Sequence, residues 1–187
     1  MKKLFVIALA ALATLSASAQ QIGKVNFNEL VMLMPDMDAA REVMSASQKE
    51  AEETYAAMAE EFQTKYTQYQ QKQATWTAAI REAKEKELAD INARLQEFQQ
   101  NISQELQQQQ SQLMAPINEK AQKVVADIAK AKNLLVLFDA SQAIYFDENL
   151  VVDITADARK ALNIPEDRTQ ESLQAELQAQ AAAQTAK

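Results

Sequence analysis

Apolar side chains recur every three or four residues through the centre of the chain, which is the spacing of an amphipathic helix with one apolar face. From about residue 36 to residue 132 there is no glycine, and the one proline is Pro116. One run of apolar positions comprises Tyr55, Met58, Phe62, Tyr66, Tyr69, Trp76, Ile80 and Ala83, and a second comprises Leu88, Ile91, Leu95, Phe98, Ile102, Leu106, Leu113, Ile117, Ala121, Val124 and Ile128. The pattern predicts two long helices that pack like a coiled coil.

The helical spacing is interrupted between the two runs, because Ala83 and Leu88 are five residues apart instead of three or four. The charged stretch 81–87 lies between them, near the midpoint of residues 36–132. We therefore predict a chain reversal near 81–87 and two arms of roughly 70 Å each. Since no turn residue marks the reversal, one unbroken helix paired with another chain is the alternative. Pro116 is expected to kink the second arm without ending it.

The segments on either side of this region change character. Lys24–Asn28 alternates polar and apolar residues, which predicts a half-buried strand. Leu134–Phe138 is apolar on both faces and predicts a fully buried strand, and Ala143–Phe146 is a further candidate strand. Asp153–Thr155 supplies capping side chains for a short helix at about Ala156–Leu162.

The two ends of the chain have different compositions. Residues 1–19 have a positive start, an apolar run and the small-residue pattern Ala17-Ser18-Ala19, which together predict a signal peptide cleaved after Ala19. The apolar run is shorter than the roughly 20 residues that span a bilayer, although a retained anchor or an N-terminal helix of the fold is an alternative. Residues 165–187 are rich in Gln and Ala, and we expect them to be disordered, with a weak helix as the alternative.

The composition excludes many kinds of chemistry. There is no Cys or His, and Gly23 is the only glycine, so thiol nucleophiles, imidazole bases and glycine-rich phosphate loops are absent. We therefore predict no enzyme activity, no cofactor and no metal. Asp139, Asp147 and Asp153 are explained more simply as turn and capping residues. The formal charge of −7 becomes −9 without Lys2 and Lys3, which disfavours nucleic acid as a partner.

The region outside the helices is too small to be stable alone without disulfides or metal. We expect residues 20–35 and 133–164 to form a small β-containing body that is stabilised by oligomerisation, although the adjoining helices are an alternative cover. The fold class is therefore mainly α with a small β base, from which residues 36–132 project as a long antiparallel helical hairpin. The candidate oligomerisation residues are Val25, Phe27, Leu134, Leu135, Val136, Leu137, Phe138, Ile144 and Phe146.

The chain closely resembles the Skp/OmpH family of periplasmic outer-membrane-protein chaperones over about residues 20–163. The resemblance rests on a signal peptide, the first strand 24–28, a long helical insertion, 134–139, 143–146 and Val152-Asp153-Ile154-Thr155-Ala156-Asp157. It implies a homotrimer with a β body and three helical arms that enclose unfolded outer-membrane β-barrel proteins, without ATP, in the periplasm of a Gram-negative bacterium.

The charge of the helical region departs from the family's best-known members, whose arms are basic. Residues 36–132 carry 16 acidic and 12 basic residues. Lipopolysaccharide binding is therefore doubtful, and membrane contact, if there is any, is peripheral. The four candidate headgroup residues, Arg81, Lys84, Lys86 and Arg94, are interleaved with acidic residues and are more simply read as solvated surface.

The leading hypothesis is an ATP-independent holdase that keeps unfolded outer-membrane proteins from aggregating. Flexible methionine and aromatic side chains suit contact with varied sequences. The candidate client-contact residues are Met58, Phe62, Tyr66, Tyr69, Trp76 and Phe98. The competing reading of these side chains is packing inside the hairpin. The alternative function is a periplasmic coiled-coil spacer or scaffold that links envelope components.

Overall fold

The computed structural model describes residues 21–185, so the expected signal peptide and its cleavage site lie outside the described residues. Strands and helices follow in the order β1 (Gln21–Val25), α1 (Phe27–Leu33), α2 (Pro35–Lys72), a 3₁₀ turn (Gln73–Thr75), α3 (Ala78–Ala131), β2 (Leu134–Asp139), a 3₁₀ turn (Ala140–Gln142), β3 (Val151–Asp153), α4 (Thr155–Ala161) and α5 (Gln170–Thr185). The chain divides into two compact units. One comprises residues 33–120, and the other comprises the described residues on either side.

A three-stranded parallel sheet lies in the second unit, with strand order β2-β1-β3. The central strand pairs Ile22 with Val136 on one side and with Val151 on the other. A register irregularity near Gln21 leaves Leu135 without a partner residue in β1. The Cβ of any larger residue at Gly23 would lie 2.4 Å from Leu134 Cδ1, so the one glycine permits the close approach of β2.

The first strand ends earlier than the alternation of residues predicts. Phe27 and Asn28 belong to α1, and the strand covers Gln21–Val25, so the prediction of a strand at 24–28 is wrong at its end. Asn26 explains the difference. Its side chain donates a hydrogen bond to the Glu29 carboxylate at 3.2 Å, and its carbonyl accepts from the Leu30 N–H at 3.0 Å. Asparagine is favoured immediately before the first turn of a helix.

The second predicted apolar strand is present, but the burial expected for it is not. β2 covers Leu134–Asp139, whereas Leu135 and Val136 are 59% and 50% exposed. The third predicted strand is wrong, because Ala143–Phe146 forms no strand and β1 pairs with Val151–Asp153 instead. Ile144 and Tyr145 are almost fully exposed.

The predicted short helix is present as α4 (Thr155–Ala161), but its N-cap residue, Ile154, makes no side-chain cap, so the predicted capping is wrong. Asp153 accepts the Thr155 N–H at 2.8 Å and α4 follows directly. Asn163, at a positive φ of 56°, ends this helix, and Ile164 N–H donates to the Arg159 carbonyl at 2.9 Å. This arrangement closes the last turn of a helix in the usual left-handed way.

The expectation of a disordered tail is wrong for residues 170–185, which form α5. Thr169 and Ser172 cap each other, since the Ser172 N–H donates to Thr169 Oγ1 and the Thr169 N–H donates to Ser172 Oγ. Leu173 is buried, and Ala, Gln and Glu favour helix intrinsically. The Arg159 guanidinium donates to the carbonyl oxygens of Pro165 and Arg168, which holds the segment before α5.

The unit of residues 33–120 is an antiparallel hairpin of α2 and the first part of α3. Lys65 pairs with Glu87, Arg94 with Glu61 at 3.6 Å, and Lys120 with Asp36 at 2.9 Å. Earlier residues of α2 thus contact later residues of α3, so the two helices are antiparallel. These contacts exclude the alternative of one unbroken helix.

The reversal lies at residues 73–77, so the prediction of a tip near 81–87 is wrong. The 3₁₀ turn is followed by Trp76 in an extended conformation, and Thr77 Oγ1 accepts the Ile80 N–H at 3.4 Å to start α3. Residues 81–87 are in the first turns of α3. The midpoint estimate failed because the two helices are unequal: α2 has 38 residues and α3 has 54. α3 continues through Pro116, as expected, and the kink predicted there stays a prediction.

Candidate functional site

The described residues present surfaces rather than a chemical centre. Within residues 21–185 there is no group of three or more acidic residues placed to hold a metal ion, and no polar or charged side chain is buried. Asp139, Asp147 and Asp153 each accept a hydrogen bond from the backbone N–H two residues further on, at 2.8–2.9 Å. None of the helices between residues 21 and 185 has an apolar stretch long enough to cross a membrane.

The edge strand β2 is the most exposed apolar part of the sheet. It is hydrogen-bonded to β1 on one side only, and Leu135 and Val136 point about half of their surface into solvent. Two successive exposed residues in one strand place apolar surface on both faces of the edge, since neighbouring side chains alternate between faces. An exposed apolar edge of this kind is a site where another chain can pair.

The candidate oligomerisation residues divide into three groups by burial. Leu135, Val136 and Ile144 are exposed. Val25 is already 97% covered within the chain, being 3% exposed. The others are half-buried: Phe27, Leu134, Leu137, Phe138 and Phe146. Five further large apolar residues of the same unit are exposed but were not among the candidates, namely Ile22, Met32, Tyr145, Leu150 and Leu177.

Lys24 fixes part of the segment between β2 and β3. Its Nζ pairs with Glu148, lies 3.5 Å from Asp153 and sits 4.9 Å above the Phe146 ring. Phe146 also packs edge-on against Phe138, with ring centroids 5.3 Å apart. The hydrogen bond to Glu148 raises the pKa of Lys24. Burial alone would raise the pKa of Asp153, but hydrogen bonds from Thr155 and the charge of Lys24 outweigh it and lower that pKa.

Ion pairs occupy several charged residues near the reversal. Glu87 accepts hydrogen bonds from Lys65 and from Lys84, and these lower its pKa to about 2. The same contact raises the pKa of Lys65. Among the candidate headgroup residues, Lys84 is paired with Glu87 and Arg94 with Glu61, which favours the reading as a solvated, internally paired surface.

The six candidate client-contact residues lie along the hairpin in three neighbouring pairs. Phe62 and Tyr66 stack with centroids 6.0 Å apart, and Tyr69 meets Trp76 edge-on at the same distance. Met58 and Phe98 line one pocket from opposite helices. Tyr66 is 40% exposed and the other five are half-buried. These side chains therefore pack against each other within the hairpin and also keep part of their surface exposed to solvent.

A groove of about 600 Å³ opens between the helices midway along the hairpin. The small residues Ser47, Ala51 and Thr54 of α2 face large ones of α3, and the apolar members of the α3 side are Phe98, Ile102 and Leu106. Ile102 and Leu106 belong to the second apolar run but were not among the candidate client-contact residues. The small side chains of α2 could have indicated the groove from the sequence. They lie opposite Ile102 and Leu106, however, only when the reversal is placed at 73–77.

One family model matches the chain. Its description is "Outer membrane protein (OmpH-like)", and it covers residues 21–162, which is more than half of the chain. No curated protein matches the sequence. The matched range contains the sheet, the hairpin and α4, and it ends before α5.

Proposed function

The chain belongs to the OmpH-like family, and from this membership we propose that it is an ATP-independent periplasmic holdase chaperone. In this proposal it binds unfolded outer-membrane proteins in a cavity between helical arms and prevents their aggregation. Export through a signal peptide at residues 1–19, cleaved after Ala19, brings it to the periplasm.

The observation that carries the proposal is the incomplete closure of the hairpin. In residues 33–120 only Leu33, Met34, Ala40, Ile91 and Ile117 are buried. The other large apolar side chains between the helices keep part of their surface in water, where many weak contacts with a client can form. Contacts of that kind release a client without an energy source, since each one is individually small.

We propose that the protein acts as a homotrimer assembled through the sheet. Burying the half-exposed side chains of Leu135 and Val136 would contribute about 1 kcal/mol each, since full burial of such a residue contributes about 1.5–3 kcal/mol. Ile22 adds to the same apolar surface. Light scattering on the mature chain is expected to return three subunits, and a monomer at micromolar concentration would contradict the proposal.

The holdase activity is tested by diluting a urea-denatured outer-membrane β-barrel protein into buffer with the purified mature chain. We expect light scattering from aggregates to fall when the chain is present at about one trimer per client, without nucleotide. The Leu135→Asp variant places a charge on the assembly surface. It should protect less than the unmodified chain if protection requires the assembled protein. If several-fold excess of the mature chain gives no protection, the holdase proposal fails, and a spacer that links envelope components becomes the better hypothesis.

A further inference from the structure

The acidic charge of the hairpin is concentrated in its middle. Residues 47–61 and 94–112, which face each other across the two helices, contain seven acidic and two basic residues. The rest of residues 36–132 contains nine acidic and ten basic residues. The net charge of −4 in this region therefore comes from the middle, where it is −5, and the remaining residues are close to neutral.

The groove between α2 and α3 lies in this acidic section. Its floor is formed on the α3 side by Phe98, Ile102 and Leu106, all half-buried within the chain. A smaller pocket of about 250 Å³ shares Phe98 and Ile102 and adds Met58, so the apolar surface continues along the hairpin. The volume of the groove is in the range that holds small ligands, and it would accommodate a few side chains of a peptide.

Carboxylates border the groove and have no basic partner. Glu50 of α2 and Glu105 of α3 line it, and Glu97 lines the adjoining pocket. All three are exposed, and none takes part in an ion pair within the described part of the chain. The lining also includes Gln108, Gln109 and Gln112, and Gln109 Nε2 donates to Ser47 Oγ at 2.9 Å. Amide side chains can donate to and accept from the backbone of an extended peptide.

We propose that this groove binds apolar client segments that are flanked by Lys or Arg. The inference rests on the proposed holdase function and names the class of segment that the hairpin selects. The apolar floor takes a side chain such as Leu or Phe, and the carboxylates at its border attract the neighbouring cations. Each exposed ion pair contributes a factor of roughly two to three in affinity, so three pairs give about tenfold.

The test uses three labelled peptides in which Leu and Phe alternate with Lys, with Glu or with Gln. Fluorescence anisotropy is measured with the full mature chain at low salt. We expect the Lys peptide to bind about tenfold more tightly than the Gln peptide, and the Glu peptide, which the carboxylates repel, to bind more weakly than both. In about 1 M salt the screening length falls to roughly 3 Å, so the three affinities should converge. Equal affinities at low salt would overturn the proposal.

Two variants locate the binding. The triple variant Glu50→Gln, Glu97→Gln, Glu105→Gln should bind the Lys peptide about tenfold more weakly. A matched variant that removes three exposed carboxylates of the hairpin outside the groove should bind it within twofold of the unmodified chain. This control is Glu42→Gln, Glu82→Gln, Glu119→Gln. Equal losses in both variants would assign the preference to overall charge and overturn the assignment to the groove.

A third variant tests the apolar floor. Ala51→Phe adds a ring from the α2 side of the groove and should weaken the Lys peptide at least fivefold, while circular dichroism shows the helices intact. Binding that is unchanged by this substitution would place the peptide elsewhere and overturn the proposal. Suppression of aggregation is measured in parallel. Protection that is equal for basic and acidic clients refutes the charge preference alone, whereas absence of protection refutes the holdase function.

Discussion

Truncating Ile91 to alanine tests whether the hairpin is stabilised mainly by a few buried side chains. Ile91 is 2% exposed, and it is the largest fully buried side chain of the hairpin unit outside Leu33 and Met34. Removing three carbon atoms costs about 2.4 kcal/mol in transfer free energy, and the cavity left behind brings such truncations to about 2–5 kcal/mol. Because the surrounding seam is only half-buried and can relax, we expect a loss of about 3 kcal/mol in the free energy of unfolding.

The assay is urea unfolding followed by tryptophan fluorescence. Trp76 is the only tryptophan and lies at the reversal against Tyr69, so its signal reports the hairpin rather than the sheet. The matched control is Leu95→Ala, which removes the same number of carbon atoms one turn further along α3 from a half-buried position. Its loss should be about 1 kcal/mol. If Ile91→Ala shifts the midpoint no more than Leu95→Ala, the reasoning about burial in this hairpin is refuted.

Three further predictions concern assembly, pH and the C-terminal helix. Leu135→Asp should lower the assembled fraction seen by light scattering at least tenfold, whereas Ile80→Gln, an exposed hairpin substitution, should leave it unchanged. The pKa of Glu87 is lowered to about 2 from 4.5, so its ion pairs stabilise the hairpin above about pH 4.5 and that contribution disappears as the pH falls toward 2. Glu87→Gln should therefore flatten the dependence of the fluorescence-detected urea midpoint on pH in this range, and a profile equal to that of Glu82→Gln would contradict this. Thr169→Ala removes a helix cap worth about 1 kcal/mol, so amide hydrogen exchange in the first turn of α5 should accelerate roughly fivefold, and unchanged exchange would show that the cap contributes nothing.

The concentration of acidic residues in the middle of the hairpin separates this chain from an arm that acts through positive charge. Some basic residues of the hairpin are occupied by ion pairs, as in Lys65 with Glu87 and Arg94 with Glu61. The unpaired carboxylates of the groove would attract the basic segments of a client and would repel acidic ones. Peptide selectivity, rather than aggregation assays alone, is therefore the measurement that distinguishes this chain's function from the general activity proposed for it.

The β-containing region shows where sequence patterns mislead. Ala143–Phe146 has the composition of a strand, but Val151–Asp153 takes the place beside β1, where Val151 is level with Ile22. Phe146 is instead held by Phe138 and Lys24. Strand propensity measures how well a residue fits a half-buried sheet, and the partner strand decides which segment occupies it. The same limit applies to β2. Its apolar composition predicts a buried strand, but within one chain the strand is partly exposed.

The sequence by itself determined the long helices, because the spacing of apolar residues and the absence of glycine act within contiguous residues. It also determined the turn in which Asp153 accepts the Thr155 N–H before α4, which is a contact between near neighbours. The tertiary structure alone decided the reversal at 73–77, the pairing of Lys65 with Glu87 and the groove above Ile102. These features depend on which residues of two helices meet, and helical spacing repeats every turn, so several registers satisfy it equally. The choice among them is made by contacts between residues far apart in the chain.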